Sequence, residues 1–399
     1  MGMEIVSPGL LTTIQDAGRK GYGRFGVSQS GPMDKRAFRL ANMLVGNDRD
    51  ATQLEMTLLG ATVRFGADVM VALTGANMQP SLNGSPAPMY QAFAVRAGDV
   101  LAMGMAVTGC RAYLAVSGGL DAPLVLGSRS TTPKNRLGGL EGWPLRAGDA
   151  VGFCDGSAAG HGVCAATVTQ GRRIAPEITP AGVKTLRVVM GPQDDAFTPQ
   201  GIHDFLHTDF RISNESDRMG YRLQGARIAH KTDGNILSDG IAMGSVQVPG
   251  DGSPILMMAD RQSIGGYAKI AVVASVDLPV AAQCRPGDAI RFRAIGVEEA
   301  QALYRAYEAE MQALERSLGE WDTGKHVQEH LLGAGSSTAH PQERLWEAWG
   351  ETHLQEHSPG ERDGGMDVWD KPVEATKRTY RIAVNGVEYN VEVVEYGFD

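Results

Sequence analysis

The chain has 399 residues, 43% of them hydrophobic and 21% charged, with a formal net charge of −9. That length predicts two or more domains with sizeable cores, and the acidic balance argues against a nucleic-acid partner. No apolar run is long enough to span a bilayer, and MGMEIVSPG at the N-terminus lacks the basic stretch and apolar core of a signal peptide.

The four cysteines, Cys110, Cys154, Cys164 and Cys284, form no close-spaced metal pair. They are expected as reduced thiols, which makes the cytoplasm the expected compartment and leaves no metal site to propose. Short apolar runs separated by many of the 51 glycines predict a turn-rich β protein. From Met3 to Phe153 these runs include VMVALTG (Val69–Gly75), YLAVSGG (Tyr113–Gly119) and a hairpin signal at Asn83-Gly84. One helix interrupts them. Gly31-Pro32 places proline at a first helical position, Ala37, Leu40, Ala41, Leu44 and Val45 recur at helical spacing, and Gly46 ends the pattern.

The small-residue stretch Gly156–Gly171 reads as a loop or linker. A second β-rich segment starts near Thr185 and contains a helix after Thr198-Pro199, a cap followed by a first-turn proline. The two halves echo each other: Ser7-Pro8-Gly9 leads to Gln15-Asp16, and Met190-Gly191-Pro192 leads to Gln193-Asp194. Gly-Asp steps precede strands at Gly98-Asp99, Gly148-Asp149 and Gly287-Asp288. The echoes point to a duplicated β domain, although ordinary turn chemistry also produces Gly-Asp steps.

Gly244–Ile270 is the most informative stretch. It reads as a strand, a Pro-Gly-Asp-Gly turn, a buried strand ILMMA, and then Asp260, Arg261, Gln262 and Ser263, running into Gly265, Gly266, Tyr267 and Lys269. Charges and amides at the mouth of a buried strand are costly to desolvate unless paired, and paired glycines let backbone N–H groups approach a ligand. Chemistry is one reading; a structural Asp–Arg pair closing a turn is the other. From Val297, residues Ala300, Leu303, Tyr304, Tyr307, Met311, Leu314 and Leu318 form one stripe of a long amphipathic helix. Trp321–Lys377 is polar and reads as an extended linker, and RTYRIAVNGVEYNVEVVEYGFD reads as a hairpin around Asn385-Gly386.

Several short motifs fail on context. Gly21–Gly26 fits GxGxxG but lacks the preceding strand and following helix of a dinucleotide site. Gly319–Lys325 nearly matches a phosphate loop, but His326 stands where the hydroxyl residue belongs and a helix precedes it. His203 and His207 lie four apart on a predicted helix without a third ligand or a catalytic glutamate. No Gly-x-Ser-x-Gly elbow is present.

The longer motifs converge. TTIQDAGRKGYGRFGVSQSGPMDKRAFRLANMLVGN (Thr12–Asn47), SDRMGYRLQG (Ser216–Gly225) and GSVQVPGDGSPILMMADRQSIGGYAKI (Gly244–Ile270) resemble the KipA, or allophanate hydrolase subunit 2, family. That family includes the C component of 5-oxoprolinase and one half of the carboxyltransferase domain of urea carboxylase. The resemblance covers roughly residues 3–295 and is far more specific than any short pattern. It implies a mainly β protein with two cyclophilin-like β-barrel domains, at residues 1–180 and 181–296. A helix (297–320), a polar linker (321–377) and a terminal hairpin (378–399) would follow.

The resemblance carries substrate contacts onto Gln15, Asp16, Arg19, Ser30, Gly31, Pro32, Met33, Asp217 and Arg218, with Gly265, Gly266 and Tyr267 added from the glycine-lined stretch. Catalytic roles fall on Asp34, Asp260, Arg261, Gln262 and Lys269. Asp260 or Asp34 would orient and deprotonate a substrate nitrogen, and Arg261, Arg218 or Lys269 would hold a carboxylate. Gln262 and the Gly265-Gly266 amides would stabilise oxyanion charge. The chain departs from the family's Thr-Thr-Gly-Gly-Tyr-Pro with Ser263-Ile264-Gly265-Gly266-Tyr267-Ala268, which removes a hydroxyl at Ile264.

The terminal hairpin resembles the opening strands of a biotin carrier domain, but no Met-Lys acceptor motif occurs. Biotin would therefore ride on a separate carrier and ATP would enter only through a partner subunit. The implied partners are a subunit 1-like (KipI-like) protein, a biotin carrier or carboxylase, or a LamB/YcsF-like subunit. Three functions follow: carboxyl transfer to a urea-like or amide nitrogen, ATP-dependent opening of a 5-oxoproline lactam, or non-enzymatic KipA-like regulation of a protein partner.

Overall fold

A computed structural model describes residues 2–154, 172–176, 182–321, 375–384 and 387–396. The expected linker Gly156–Gly171 lies outside them, as does 322–374.

The first lobe is built from β1 (Gly2–Ser7), β2 (Leu11–Gln15), β3 (Gln53–Thr57), β4 (Thr62–Phe65), β5 (Val69–Asn77) and β6 (Ser81–Leu82). It continues through β7 (Ser85–Pro86), β8 (Ala92–Val95), β9 (Val100–Ala102), β10 (Thr108–Val116), β11 (Leu120–Asp121) and β12 (Ala150–Phe153). They form two sheets, ordered β11-β12-β1-β4-β9-β6-β7 and β2-β3-β10-β5-β8. Alternating residues such as Met3, Ile5, Val63 and Phe65 meet Ile14, Leu54, Met56 and Leu114 in a shared core, the period-2 arrangement of facing sheets. The Asn83-Gly84 step joins β6 to β7 with φ of 52° and 83°, the two positive values of a type I′ turn.

The second lobe holds β13 (Lys184–Met190), β14 (Phe210–Ile212), β15 (Gly220–Gln224), β16 (Asn235–Gly240), β17 (Ser245–Val248), β18 (Ile255–Met257), β19 (Ile264–Val273) and β20 (Ala289–Ala294). Seven strands run β13-β20-β14-β15-β18-β17-β19, and β19 pairs back onto β13, closing a barrel. β16 attaches to β19 from outside the ring. Inside lie Leu186, Val188, Phe205, Phe210, Leu256, Ile270 and Phe292.

Three turns repeat one device. In Arg96–Asp99, Arg146–Asp149 and Arg285–Asp288 the aspartate carboxylate accepts the arginine N–H at 2.7, 2.7 and 2.9 Å. The glycine before it has φ near 90° (92°, 89° and 89°) and donates to the O of Phe65, Ile5 or Ile212 at 2.7–2.8 Å. A side chain is strained in that left-handed region, so the Gly-Asp echoes of the sequence are one turn used three times.

The helices are α1 (Lys35–Leu44), α2 (Pro199–His207), α3 (Leu278–Ala282) and α4 (Val297–Trp321). Pro32 is not in the first turn of α1, contrary to the expected start. Asp34 takes the cap, its Oδ1 accepting from Arg36 N at 3.0 Å and Ala37 N at 2.9 Å; a carboxylate that satisfies two orphan amides fixes the start there. Thr198 caps α2 through Gly201 N at 3.0 Å, as the Thr-Pro signal predicts. α1 is buried on two sides. Ala37, Phe38, Ala41 and Leu44 pack on Met70, Ala72, Tyr113 and Ala115. Leu40 and Met43 meet Met311 and Leu318 of α4. The α4 stripe thus faces α1, and pairs such as Arg36–Glu310 and Arg39–Glu308 (both 2.7 Å) flank it.

Residues 375–396 form a separate unit: β21 (Ala375–Val384) and β22 (Val387–Tyr396) pair antiparallel in a register that runs from Val384↔Val387 to Ala375↔Tyr396. Among the described residues no helix is long and apolar enough to cross a membrane.

Candidate functional site

Of the predicted residues, Ser30, Gly31, Met33, Asp34, Arg218 and Asp260 gather where the two lobes meet. The seam starts from a polar row on one face of the five-stranded sheet. Residues directly opposite in antiparallel strands share a face, and the register sets Thr13 opposite Glu55, Gln15 opposite Gln53, and Tyr113 opposite both Glu55 and Thr74. All six are buried. α1 and the loop before it lie over this row: Thr74 Oγ1 donates to Ala37 O at 2.6 Å and Gln53 Nε2 to Phe38 O at 2.8 Å. Met33, expected as a substrate contact, is fully buried and belongs to the core of the second barrel. Pro32 and Gly31 are buried beside it.

Arg218 locks the seam. Its Nε donates to Asp260 Oδ2 at 2.9 Å and its Nη2 to Asp260 Oδ1 at 3.0 Å and Gly31 O at 2.7 Å. Its Nη1 meets Glu55 of the first lobe. Glu55 Oε2 accepts from Met33 N at 2.8 Å and from Tyr113 OH at 2.7 Å. Ser30 Oγ donates to Asp260 Oδ1 at 2.7 Å. Ser30 has φ of 58°, a left-handed backbone that the crossing contacts hold in place. Burial works against the Arg218 charge, but Asp260 and Glu55 outweigh it and raise its pKa. Burial, with Glu55 and Asp34 nearby, pushes the Tyr113 hydroxyl well up, so it serves as a neutral donor.

A second knot lies alongside. Gln283 Nε2 donates to Asp34 Oδ2 at 2.7 Å and Arg111 O at 2.9 Å, while its Oε1 accepts from Cys110 N and Arg111 N at 2.9 and 3.0 Å. Asp34 therefore caps α1 with one oxygen and binds the second lobe with the other.

Gln15, Asp16 and Arg19 brace the first lobe. Gln15 Nε2 donates to Thr131 O at 3.0 Å. Arg19 donates to Val125 O, Thr132 Oγ1 and Ser130 O at 3.1, 3.0 and 2.5 Å. A Cβ at Gly138 would lie 2.1 Å from Arg19 Nη2 and from Ser130 O, so only glycine fits that crossing. Asp16 accepts from Ser128 Oγ, Ser130 Oγ, Arg129 N and Gly18 N at 2.5–2.9 Å. It lines a hollow of about 410 Å3 with Lys20, Tyr22, Asp50, Arg129 and Cys154, all from the first lobe rather than the seam.

Burial opposes ionisation of Asp16, but the bonds from Ser128, Ser130, Arg129 and Gly18 outweigh it and depress its pKa. A folded-state value below the unfolded one stabilises the fold above about pH 4, and the contribution is lost as pH falls through the folded value. Asp16→Asn should therefore be less stable than the parent at pH 7 in chemical denaturation, with the gap closing below about pH 4. A gap independent of pH would contradict this.

Arg261 to Ser263 form the outward rim of the seam, beside Ser28 and Gly23 of the first lobe, and Gly265 to Lys269 follow on β19 within the second lobe. Arg261 is half-buried and donates to Ile241 O at 2.8 Å and Met258 O at 3.3 Å; Ser28 Oγ of the first lobe donates to its carbonyl at 2.8 Å. Burial lowers its pKa against the pull of Asp260. Gln262 and Ser263 are half-buried, and the Ser263 hydroxyl is buried with no partner among the described residues. Gly265 and Gly266 lie inside β19, where Gly265 pairs with Asp239. Tyr267 is 41% exposed. Lys269 Nζ pairs with Asp239 Oδ2 at 2.7 Å. Partial burial and then the charges of Arg261, Arg39 and Lys20 lower the pKa of Lys35. Since Lys35 is exposed by surface area, the like-charge crowding is the more telling cause. Asp217 stays apart in an exposed turn, accepting from Met219 N at 2.7 Å.

Sequence reasoning missed Glu55, Tyr113, Gln283 and Asp239. Only Glu55 left a signal, an ionisable residue inside the apolar run Leu54-Glu55-Met56, which must be paired if the strand is buried.

Known proteins resemble this chain over the same region. The carboxyltransferase domain, subdomains A and B, matches residues 25–294. The C component of 5-oxoprolinase from Escherichia coli (strain K12) is 38% identical over 304 residues, 75% of this chain and 93% of that protein. The urea amidolyase of Saccharomyces cerevisiae is 33% identical over 325 residues, 78% of this chain and 18% of that longer protein. Among solved structures, the urea carboxylase of Kluyveromyces lactis superposes with a TM-score of 0.70 at 30% identity, over 78% of this chain and 29% of that one.

Proposed function

Because this chain belongs to the carboxyltransferase-domain family, subdomains A and B, we propose that it is one subunit of a biotin-dependent carboxyltransferase acting on a urea-like or amide nitrogen. The observation that carries this reading is the rim. There the buried Ser263 hydroxyl, without a partner among the described residues, sits between half-buried Gln262 and exposed Ile264, with Arg261 and Lys269 close in sequence on the same segment. Buried polar groups are paired unless a ligand or water completes them.

The rim fits a carboxylated ureido group on a separate carrier. Arg261 and Lys269 would hold its carboxylate, and Gln262 and Ser263 would donate to its ureido oxygen. When bound, that group supplies an activated carboxyl. The chain's own residues bind and orient: donors aimed at developing oxyanion charge lower the barrier, and the half-exposed Tyr267 ring offers a flat surface to a planar amide. Asp260 has both oxygens engaged by Arg218 and Ser30. In this reading it positions Arg261 rather than taking a proton, and the base for the attacking N–H comes from a partner chain.

A second reading is the C component of an ATP-dependent 5-oxoprolinase, favoured by the match over 93% of that Escherichia coli protein. In it the same donors polarise a lactam carbonyl and ATP binds on a KipI-like or LamB/YcsF-like partner. Co-expression with such partners, followed by ATP turnover with urea-like substrates and with 5-oxoproline, separates the two. Carboxyl transfer requires a biotinylated carrier and is blocked by avidin. Turnover of 5-oxoproline that ignores avidin would overturn it in favour of the second reading.

A further inference from the structure

Lys269 and Asp239 are an unequal pair. The lysine side chain is 4% exposed and that of the aspartate 55%. Lys269 projects from β19, which is held by β13, β17 and β16. Asp239 hangs from β16, which is bonded to β19 alone at the outer edge of the sheet. The β16–β19 ladder shifts register between Asn235 and Asp239, and every residue of β16 except Ile236 is exposed. The cation is fixed in the wall of the barrel, and the anion sits on its most weakly anchored strand. A buried ammonium needs an anion close by, whereas an exposed carboxylate can return to water at little cost.

We propose that Asp239 is a stand-in carboxylate: it occupies the Lys269 ammonium in the resting chain and yields that place to the carboxylate group of the incoming reactant. The substrate class is a small planar carboxylate carrying an amide or ureido nitrogen. This rests on the reading of Lys269 as the group that holds the transferred carboxyl. Two further features fit. The hydrogen bond from Lys269, then the Gly240 amide, holds the Asp239 pKa below its usual value, so the stand-in is charged at neutral pH. Gln193 accepts from Lys269 N at 3.2 Å, which fixes the lysine backbone whichever carboxylate is present.

Oxamate, a planar carboxylate with an amide, tests the proposal, with neutral oxamide as the control, by calorimetric titration of the full chain. Asp239→Asn should bind oxamate at least tenfold tighter than the parent. Lys269→Met should abolish binding in both backgrounds, and oxamide should not distinguish the variants. Oxamate affinity that is unchanged, weaker or absent in Asp239→Asn would overturn the proposal, as would tighter binding that survives Lys269→Met. In the unmutated chain the Lys269 15Nζ and Asp239 13Cγ resonances should move together on adding oxamate; a lysine shift without an aspartate shift would also overturn it. The two levels separate cleanly. The expected oxamate pattern without carboxyl transfer in any complex would defeat the functional reading alone. Lys269-dependent transfer with unchanged oxamate affinity in Asp239→Asn would defeat the stand-in alone.

Discussion

Arg218→Met is expected to destabilise the two-barrel unit by about 3–5 kcal/mol, the usual effect of removing one partner from a buried ion pair. Arg218 is 5% exposed and touches Asp260 of its own lobe and Glu55 of the other. Methionine fills much of the volume but leaves two carboxylates, 4% and 1% exposed, without a cation. Most of the penalty therefore comes from stranded charge rather than lost packing. The triple variant Arg218→Met/Glu55→Gln/Asp260→Asn removes the charges together, and most of the stability should return, since neutralising a whole buried network is far milder than breaking it. Denaturant unfolding of the parent, the single and the triple variant checks this. A single variant as stable as the parent would show that the seam does not depend on Arg218.

The second large effect is on turnover. Lys269→Met in an active complex should lower kcat by roughly 10²–10³, the scale of loss when one preorganised group holding the transferring carboxyl is removed. Stability should barely change, because methionine keeps the volume of the buried lysine stem while the partner left behind, Asp239, is half in water and regains its hydration. Single-turnover kinetics and thermal melts on the same preparation measure both. Loss of fold together with loss of rate would place Lys269 in the scaffold instead of the site.

Local signals in the sequence carried most of the fold. Asn83-Gly84 demands two positive φ values, Thr198-Pro199 caps a helix, and the stripe from Tyr307 to Leu318 has one apolar face; each is settled within a few residues. The start of α1 was harder, because Pro32 and Asp34 both carry start signals and only the carboxylate's two bonds decide between them. The seam was legible in part. Asp260, Arg218 and Ser30 stood out as polar residues in the resembling motifs, but their partner Glu55 lies 163 positions from Arg218, and periodicity says nothing about contacts at that range. Asp239 gave no signal, since its position depends on β16 joining β19 across a register shift. Gln283 likewise becomes visible only when α3 is brought against Asp34 and Arg111.

The central claim is the proposed division of labour: the buried charges hold the two lobes together, while Arg261, Gln262 and Ser263 at the rim, with Lys269 on β19, are the groups proposed to meet the substrate. Turnover of the folded Arg218→Met/Glu55→Gln/Asp260→Asn complex, measured beside the Lys269→Met complex, tests it most directly. The triple variant should keep its rate within about tenfold of the parent, while Lys269→Met loses at least a hundredfold. A stable triple variant with no turnover, beside a Lys269→Met complex at the parental rate, would contradict the account and move the chemistry into the buried network.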